Sequence, residues 1–199
     1  MALKVDPFSF PDPAVSPRGE GRRTIVLGGG CFWCTEAVYL QLEGVLAVRP
    51  GYAGDREELA TYDAVSSGRT NHAEVIEVAY DAAKIGLGAI LKVFFSVAHD
   101  PTQKDRQGAD VGRQYRSVIF YADDEQRRTA EAYVAQLEEA HVFDAPIATE
   151  IAPLEAFYQA EEVHHDFAAR NPRQPYIRAV SDPKVAKLRA AYASLLKQP

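Results

Sequence analysis

A chain of 199 residues with 47% hydrophobic side chains can bury the core of one compact domain, and 25% charged residues exclude a disordered or fibrous composition. A net charge of −6, with no basic run to neutralise phosphates, argues against a nucleic-acid partner. No apolar stretch approaches the roughly 18–20 residues that cross a bilayer, so no membrane association is expected.

Residues 1–23 carry Pro7, Pro11, Pro13 and Pro17 without sustained periodicity, and read as an extended arm that wraps the surface or stays mobile. They lack the apolar segment of a secretory leader, and Asp6 and Asp12 are unusual in a transit peptide; a cytoplasmic, monomeric protein is expected. Residues 24–199 then read as a single catalytic domain with a helical C-terminal extension. "TIVLG" (24–28) is a strand, and Cys31 to about Gln41 a helix. "VLAVRPGYAG" (45–54) starts as a strand and breaks into a turn at its glycines; residues 55–73 form a polar loop with one helical turn at "TYDAVSS". "EVIEVAYD" (74–81) alternates at period two, as a half-buried strand does. Residues 83–98 read as a helix weakened early by Gly86 and Gly88. A long loop (99–112) precedes a strand at 114–122, an amphipathic helix at 123–141 and a last strand at 146–153; helical segments follow near 155–169 and 183–197. The core order β-α-β-β-α-β-α-β predicts an α+β two-layer sandwich with a ferredoxin-like, split βαβ core and long active-site loops. Loops of that length are more often functional than idle.

Chemistry concentrates in "LGGGCFWCTEAVYLQLEG" (27–44), which holds both cysteines and the only tryptophan. Gly28, Gly29 and Gly30 let the backbone turn sharply from strand to helix. A cysteine at the helix start faces unpaired N–H groups and the positive end of the macrodipole, both of which favour thiolate. Cys34 follows one turn later, at a separation compatible with a disulfide. The plainer alternative is that both are small core side chains. Two cysteines so close cannot staple distant parts of a fold, and no second CxxC or CxxH pair completes a zinc site. Trp33 stands where a dinucleotide-binding GxGxxG needs its third glycine. A redox role leads.

Three further segments carry polar side chains. "GRTNHAEV" (68–75) sets Glu74 at a strand edge, where acids are usually solvated. "HDPTQKDRQGADVGRQYRS" (99–117) brings Asp100, Asp105, Asp110 and Tyr115 around glycines, a pattern also suited to an ordinary surface loop. "QAEEVHHDF" (159–167) offers Glu161, Glu162, His164, His165 and Asp166; adjacent histidines on a helix point apart, so a satisfied or solvated pair is expected rather than a metal site. Tyr62 and Tyr115 sit in polar contexts where a phenolic O–H can donate.

"GGCFWCTE" (29–36), "GYAG" (51–54), "YDAVSSGRTNHAEV" (62–75), "HDPTQKDRQGADVGRQYRS" (99–117) and "FYQAEEVHHDF" (157–167), in this order, resemble the A-type peptide methionine sulfoxide reductases across residues 24–170. Asn71 replaces the usual glycine of "GHAE", Asp105 the usual asparagine, and "VHHDF" the more common Tyr-His-Gln-x-Tyr pattern. Cys34 follows the tryptophan where many members carry glycine, and there is no C-terminal cysteine. The resemblance implies that Cys31 attacks the sulfoxide sulfur of an oxidised methionine, peptide-bound or free, while Glu74 protonates the oxygen. Tyr62 and Tyr115 would hydrogen-bond that oxygen, Asp110 would organise the site through water, and Phe32 and Trp33 would wall the S-methyl slot. The family acts on the S epimer at sulfur. Attack leaves a sulfenic acid on Cys31. Cys34, the other cysteine of the chain, would condense with it to a Cys31–Cys34 disulfide that a thioredoxin-like dithiol reopens, with no metal or organic cofactor.

Three rivals stay open at this point. A general thiol–disulfide oxidoreductase would need both cysteines and be indifferent to Glu74. A module that binds methionine peptides without chemistry would tolerate Cys31→Ser. A metal-binding protein would use Cys31, Cys34, His164 and His165.

Overall fold

Period-two alternation in the central strands divides their side chains between two environments. In the computed structural model, which describes residues 5–17 and 19–198, β1 (Arg22–Gly29) pairs antiparallel with β3 (Ala73–Asp81). Ile25, Leu27, Ile76 and Val78 enter one apolar cluster; Val26 and Val75 enter the other. β2 (Val45–Ala53) pairs with the far side of β3, and β6 (Ser117–Tyr121) with the far side of β1, both antiparallel. β7 (Glu150–Pro153) adds parallel to β6, and β8 (Tyr158–Gln159) antiparallel to β2. The sheet order is β7-β6-β1-β3-β2-β8.

The larger cluster joins the sheet to α1 (Phe32–Tyr39), α3 (Leu87–Val93) and α4 (Asp124–Glu139), through Phe32, Val38, Ile90, Leu91 and Tyr133. Each such side chain, fully buried, contributes about 1.5–3 kcal/mol. The smaller cluster, around Val118 and Phe120, is covered by Ala152, Leu154 and Phe157. α1 is buried on almost every side, including Cys34, Thr35 and Glu36, which is why it shows no amphipathic stripe. The remaining elements are α2 (Tyr62–Ser66), a hairpin of β4 (Arg106–Gln107) and β5 (Asp110–Val111), α5 (Phe167–Arg170) and α6 (Asp182–Ala191). Among the described residues no helix is long and apolar enough to cross a membrane.

Four segments differ from the sequence expectation. β2 runs through Gly51 instead of turning there, because Phe157 and the Tyr158 carbonyl approach so closely that a Cβ would lie 2.4 Å away. The loop at 99–112 contains the β4–β5 hairpin. The strand expected at 114–122 starts at Ser117, after a 3-10 turn at Arg113–Tyr115 that follows Gly112. Residues 155–169, expected to be helical, form β8, a 3-10 turn at Glu162–His164 and only the start of α5; Asp166, at φ +52°, interrupts them.

The described part of the N-terminal arm is laid on the surface; residues 1–4 and 18 of the arm lie outside the described residues. Phe10 is buried edge-on against Phe143, the Tyr133 hydroxyl donates to the Pro11 carbonyl (3.0 Å), and Gln136 bonds both Asp12 and Ala14. Phe10→Ala is expected to lower unfolding stability by about 3 kcal/mol through lost burial and the cavity left behind. Urea denaturation checks this, and an unchanged midpoint would mean that the arm's packing adds nothing.

Candidate active site

The Gly28–Gly30 run delivers Cys31 to the start of α1 by two means. A Cβ on Gly28 would lie 2.7 Å from Val118, so the strand could not pack there with a larger residue, and Gly30 adopts φ +89°, which a side chain would strain. Cys31 is then the N-cap residue: its carbonyl accepts from the N–H groups of Cys34 (3.1 Å) and Thr35 (3.4 Å). The next free N–H, on Phe32, donates to Glu74 Oε2 at 3.1 Å. Glu74 shares the strand face of Ile76 and Val78, which turns its carboxyl towards α1.

A cavity of about 230 Å³ opens at this helix start, lined by Cys31, Phe32, Trp33, Glu74 and Tyr62 together with Tyr115 and Asp110. Seven of the eight residues proposed from the sequence therefore meet in one cavity; Cys34 lies behind them, fully buried. Gln174 and Tyr176 complete the lining and escaped the sequence reading. Tyr176 donates to Asp110 Oδ2 at 2.5 Å. Nothing in the polar stretch "NPRQPYIRAV" marks these two side chains, because only the chain's return after α5 brings them to the site.

The aromatic wall is held from outside. Trp33 stacks on Phe167 at 3.9 Å between ring centres and 11° between planes, and its indole N–H donates to His164 Nδ1 (3.2 Å). His164 also packs on Phe32 and Tyr62. It is therefore the satisfied histidine expected from the sequence. Glu161 bridges the neighbourhood, accepting the Tyr62 N–H on one oxygen and the Tyr52 hydroxyl on the other, each at 2.8 Å. Among the described residues no group of three or more His, Cys, Asp and Glu side chains is placed to hold a metal ion.

Burial controls the electrostatics. Glu74 is 2% exposed, and desolvation lifts its pKa to about 8 against the Phe32 N–H, which favours the charged form. At neutral pH the carboxyl keeps its proton. Burial likewise raises Tyr62 and Tyr115, with the Glu74 charge adding to it, so both remain O–H donors. Burial also pushes Cys31 well up, and its hydrogen bond to Cys34 adds to this; the helix start does not turn Cys31 into a resting thiolate, as the sequence had suggested. The Cys31 thiol donates to Cys34, which falls to about 7, with Lys184 and Tyr176 helping. Two buried thiols this close ionise once between them.

Comparison with known proteins places the chain. The family model described as "Peptide methionine sulfoxide reductase" matches residues 23–195. The chain is 48% identical over 200 residues to "Peptide methionine sulfoxide reductase MsrA 2" of Synechocystis sp., covering 97% of this chain and 94% of that protein. It is 52% identical over 170 residues to "Peptide methionine sulfoxide reductase MsrA" of Natronomonas pharaonis, covering 85% and 95%. Among solved structures, Mxr1 from Saccharomyces cerevisiae in reduced form superposes with a TM-score of 0.68 at 31% identity, covering 80% of this chain and 92% of that one. Methionine sulfoxide reductase A of Corynebacterium diphtheriae gives 0.63 at 36% identity, covering 82% and 84%. With its cysteine, its protonated carboxyl and its aromatic wall in one small cavity, the chain belongs to the peptide methionine sulfoxide reductase family.

Proposed function

We propose that the protein reduces methionine-S-sulfoxide, in peptides and proteins and as the free amino acid, and so repairs oxidised proteins under oxidative stress. The observation that carries this reading is the buried Glu74 carboxyl, protonated at neutral pH, in one cavity with Cys31. A general thiol–disulfide oxidoreductase needs a first cysteine with a lowered pKa. That of Cys31 is raised, and a proton-holding carboxyl would have no task there.

In this reading the sulfoxide methyl sits against Phe32 and Trp33, and its oxygen is held by the hydroxyls of Tyr62 and Tyr115. Asp110 fixes the rim through Tyr176. Cys31 attacks the sulfur as Glu74 gives its proton to the oxygen. The substrate oxygen passes to Cys31 as a sulfenic acid, and methionine leaves. Cys34 then displaces water to form the Cys31–Cys34 disulfide, which a thioredoxin-like dithiol reduces. The chemistry needs no metal or organic cofactor.

The same reading treats residues 24–199 as one catalytic domain and residues 1–23 as an accessory arm. The four inner strands, β6-β1-β3-β2, all antiparallel with α1 and α3 as their connections, support a ferredoxin-like split βαβ core in a two-layer sandwich. We take the protein to act as a cytoplasmic monomer.

Three outcomes test the mechanism. Glu74→Gln, which cannot release a proton as an acid, is expected to slow methionine formation by about 10²-fold or more in a single turnover; a parental rate would sink the acid role. Cys34→Ser should still form about one methionine per protein molecule but stall before the second unless a small thiol is supplied. Complete inactivity of the folded variant would contradict the division of labour between the two thiols. Because Glu74 must be protonated to act, its contribution is present below its raised pKa and is lost as pH rises through about 8. Single-turnover rates across that range check the sign, and a parallel rise in rate would point to a different acid.

A further inference from the structure

The two cysteines differ in access. Cys31 is 8% exposed and lines the cavity, whereas Cys34 is 0% exposed and does not contribute to that lining. An incoming thiolate reaches the Cys31 sulfur without opening the chain, and attack there makes Cys34 the leaving group. A leaving thiolate inside the protein needs a counter-charge or hydrogen-bond donors.

The C-terminal helix supplies both. Between Tyr176 and α6 the backbone makes a π-helical turn at Ile177–Ser181, closed by the Asp182 N–H donating to the Ile177 carbonyl five residues back. Pro183 explains its position: proline has no N–H for the Ala179 carbonyl and its ring crowds that oxygen, so the regular ladder cannot run through. The turn absorbs one extra residue. Tyr176 and Lys184, eight positions apart in sequence, are thereby set as if about seven apart, which is close to two full turns and hence one helix face. The π-helical turn and α6 both pack against α1, the helix that carries Cys34, with Lys184 buried and the Tyr176 hydroxyl donating to Asp110. Lys184 and Tyr176 both lower the pKa of Cys34. Lys184 is only 4% exposed, yet it forms no hydrogen bond or ion pair with a described residue. A buried cation without a carboxylate is expensive unless an anion appears beside it during the cycle.

We propose that the Cys31–Cys34 disulfide is opened by attack at Cys31, and that Lys184, aligned with Tyr176 by the π-helical turn, stabilises the departing Cys34 thiolate. This rests on the reading of Cys34 as the resolving thiol. One thiolate of an external dithiol bonds to Cys31 Sγ as the Cys31–Cys34 bond breaks. Its second thiol then displaces Cys31, so the dithiol ends as its own disulfide and both protein sulfurs are reduced, taking up the two protons the dithiol gives up. Lys184 acts through Cys34 and touches neither the sulfoxide nor the incoming sulfur; it is a positioning residue for the charge.

The test starts from protein oxidised by one turnover with a methionine sulfoxide peptide and freed of reductant. Brief exposure to glutathione, an iodoacetamide quench and fragmentation of the peptide spanning both cysteines should find glutathione on Cys31 and the alkyl group on Cys34. Glutathione on Cys34 overturns the direction of attack, and this arm needs no variant. In stopped-flow with excess dithiothreitol, followed by Trp33 fluorescence, Lys184→Met should open the disulfide about tenfold more slowly than the parent, because the leaving thiol becomes more basic. Lys184→Arg, which keeps the charge, should stay within about threefold of the parent. Equal rates for Lys184→Met and the parent, or no rescue by Lys184→Arg, overturn the role of Lys184. If the oxidised protein carries no Cys31–Cys34 disulfide at all, by intact mass and thiol titration, the resolving role of Cys34 fails and this inference with it.

Discussion

The hydrogen bond from the Phe32 N–H to the Glu74 carboxyl is the contact on which the site depends. It ties the first turn of α1 to the start of β3, and therefore joins the helix that begins at Cys31 to the strand that carries Glu74. Both partners are buried, so the bond acts where solvent competes little. It also opposes the effect of burial, since an N–H donor favours carboxylate while desolvation favours the neutral acid. Desolvation is the larger of the two, and Glu74 is left as an acid at neutral pH with a pKa near the working range.

The same balance governs the thiols. A helix N-terminus favours thiolate by a modest amount that falls off within a turn, and here Glu74 already occupies the nearest free donor. Full burial is the stronger influence on Cys31. The site thus favours a proton on the carboxyl, and of the two thiols Cys34 is the one that ionises more readily.

Much of this was legible in the chain because local chemistry and global fold agree. The glycine run, the CFWC segment and Glu74 sit where strand and helix periodicity place them, and β1 and β3 follow their alternation. The two departures from the family pattern in the loops have local reasons. Asp105 adopts φ +50°, a conformation that asparagine and aspartate both tolerate. Asn71 has no such requirement and instead bonds the Gly54 carbonyl and accepts from Arg113. What could not be read came from tertiary return of the chain: Gln174, Tyr176 and Lys184 lie in polar C-terminal segments whose period is broken by a π-helical turn. Residues 155–169 misled for a related reason. Their composition suits a helix, but Tyr158 and Gln159 are recruited by the free edge of β2.

In the proposed reading, an apolar wall on one side of the cavity and hydroxyl donors on the other would read chirality at sulfur, because only one epimer presents its methyl and its oxygen to both at once. The most direct measurement is turnover of a racemic methionine sulfoxide peptide with dithiothreitol, with the two epimers resolved. The account predicts complete loss of the S epimer and persistence of the R epimer. Equal consumption of both epimers, or of neither by folded and reduced protein, would contradict it.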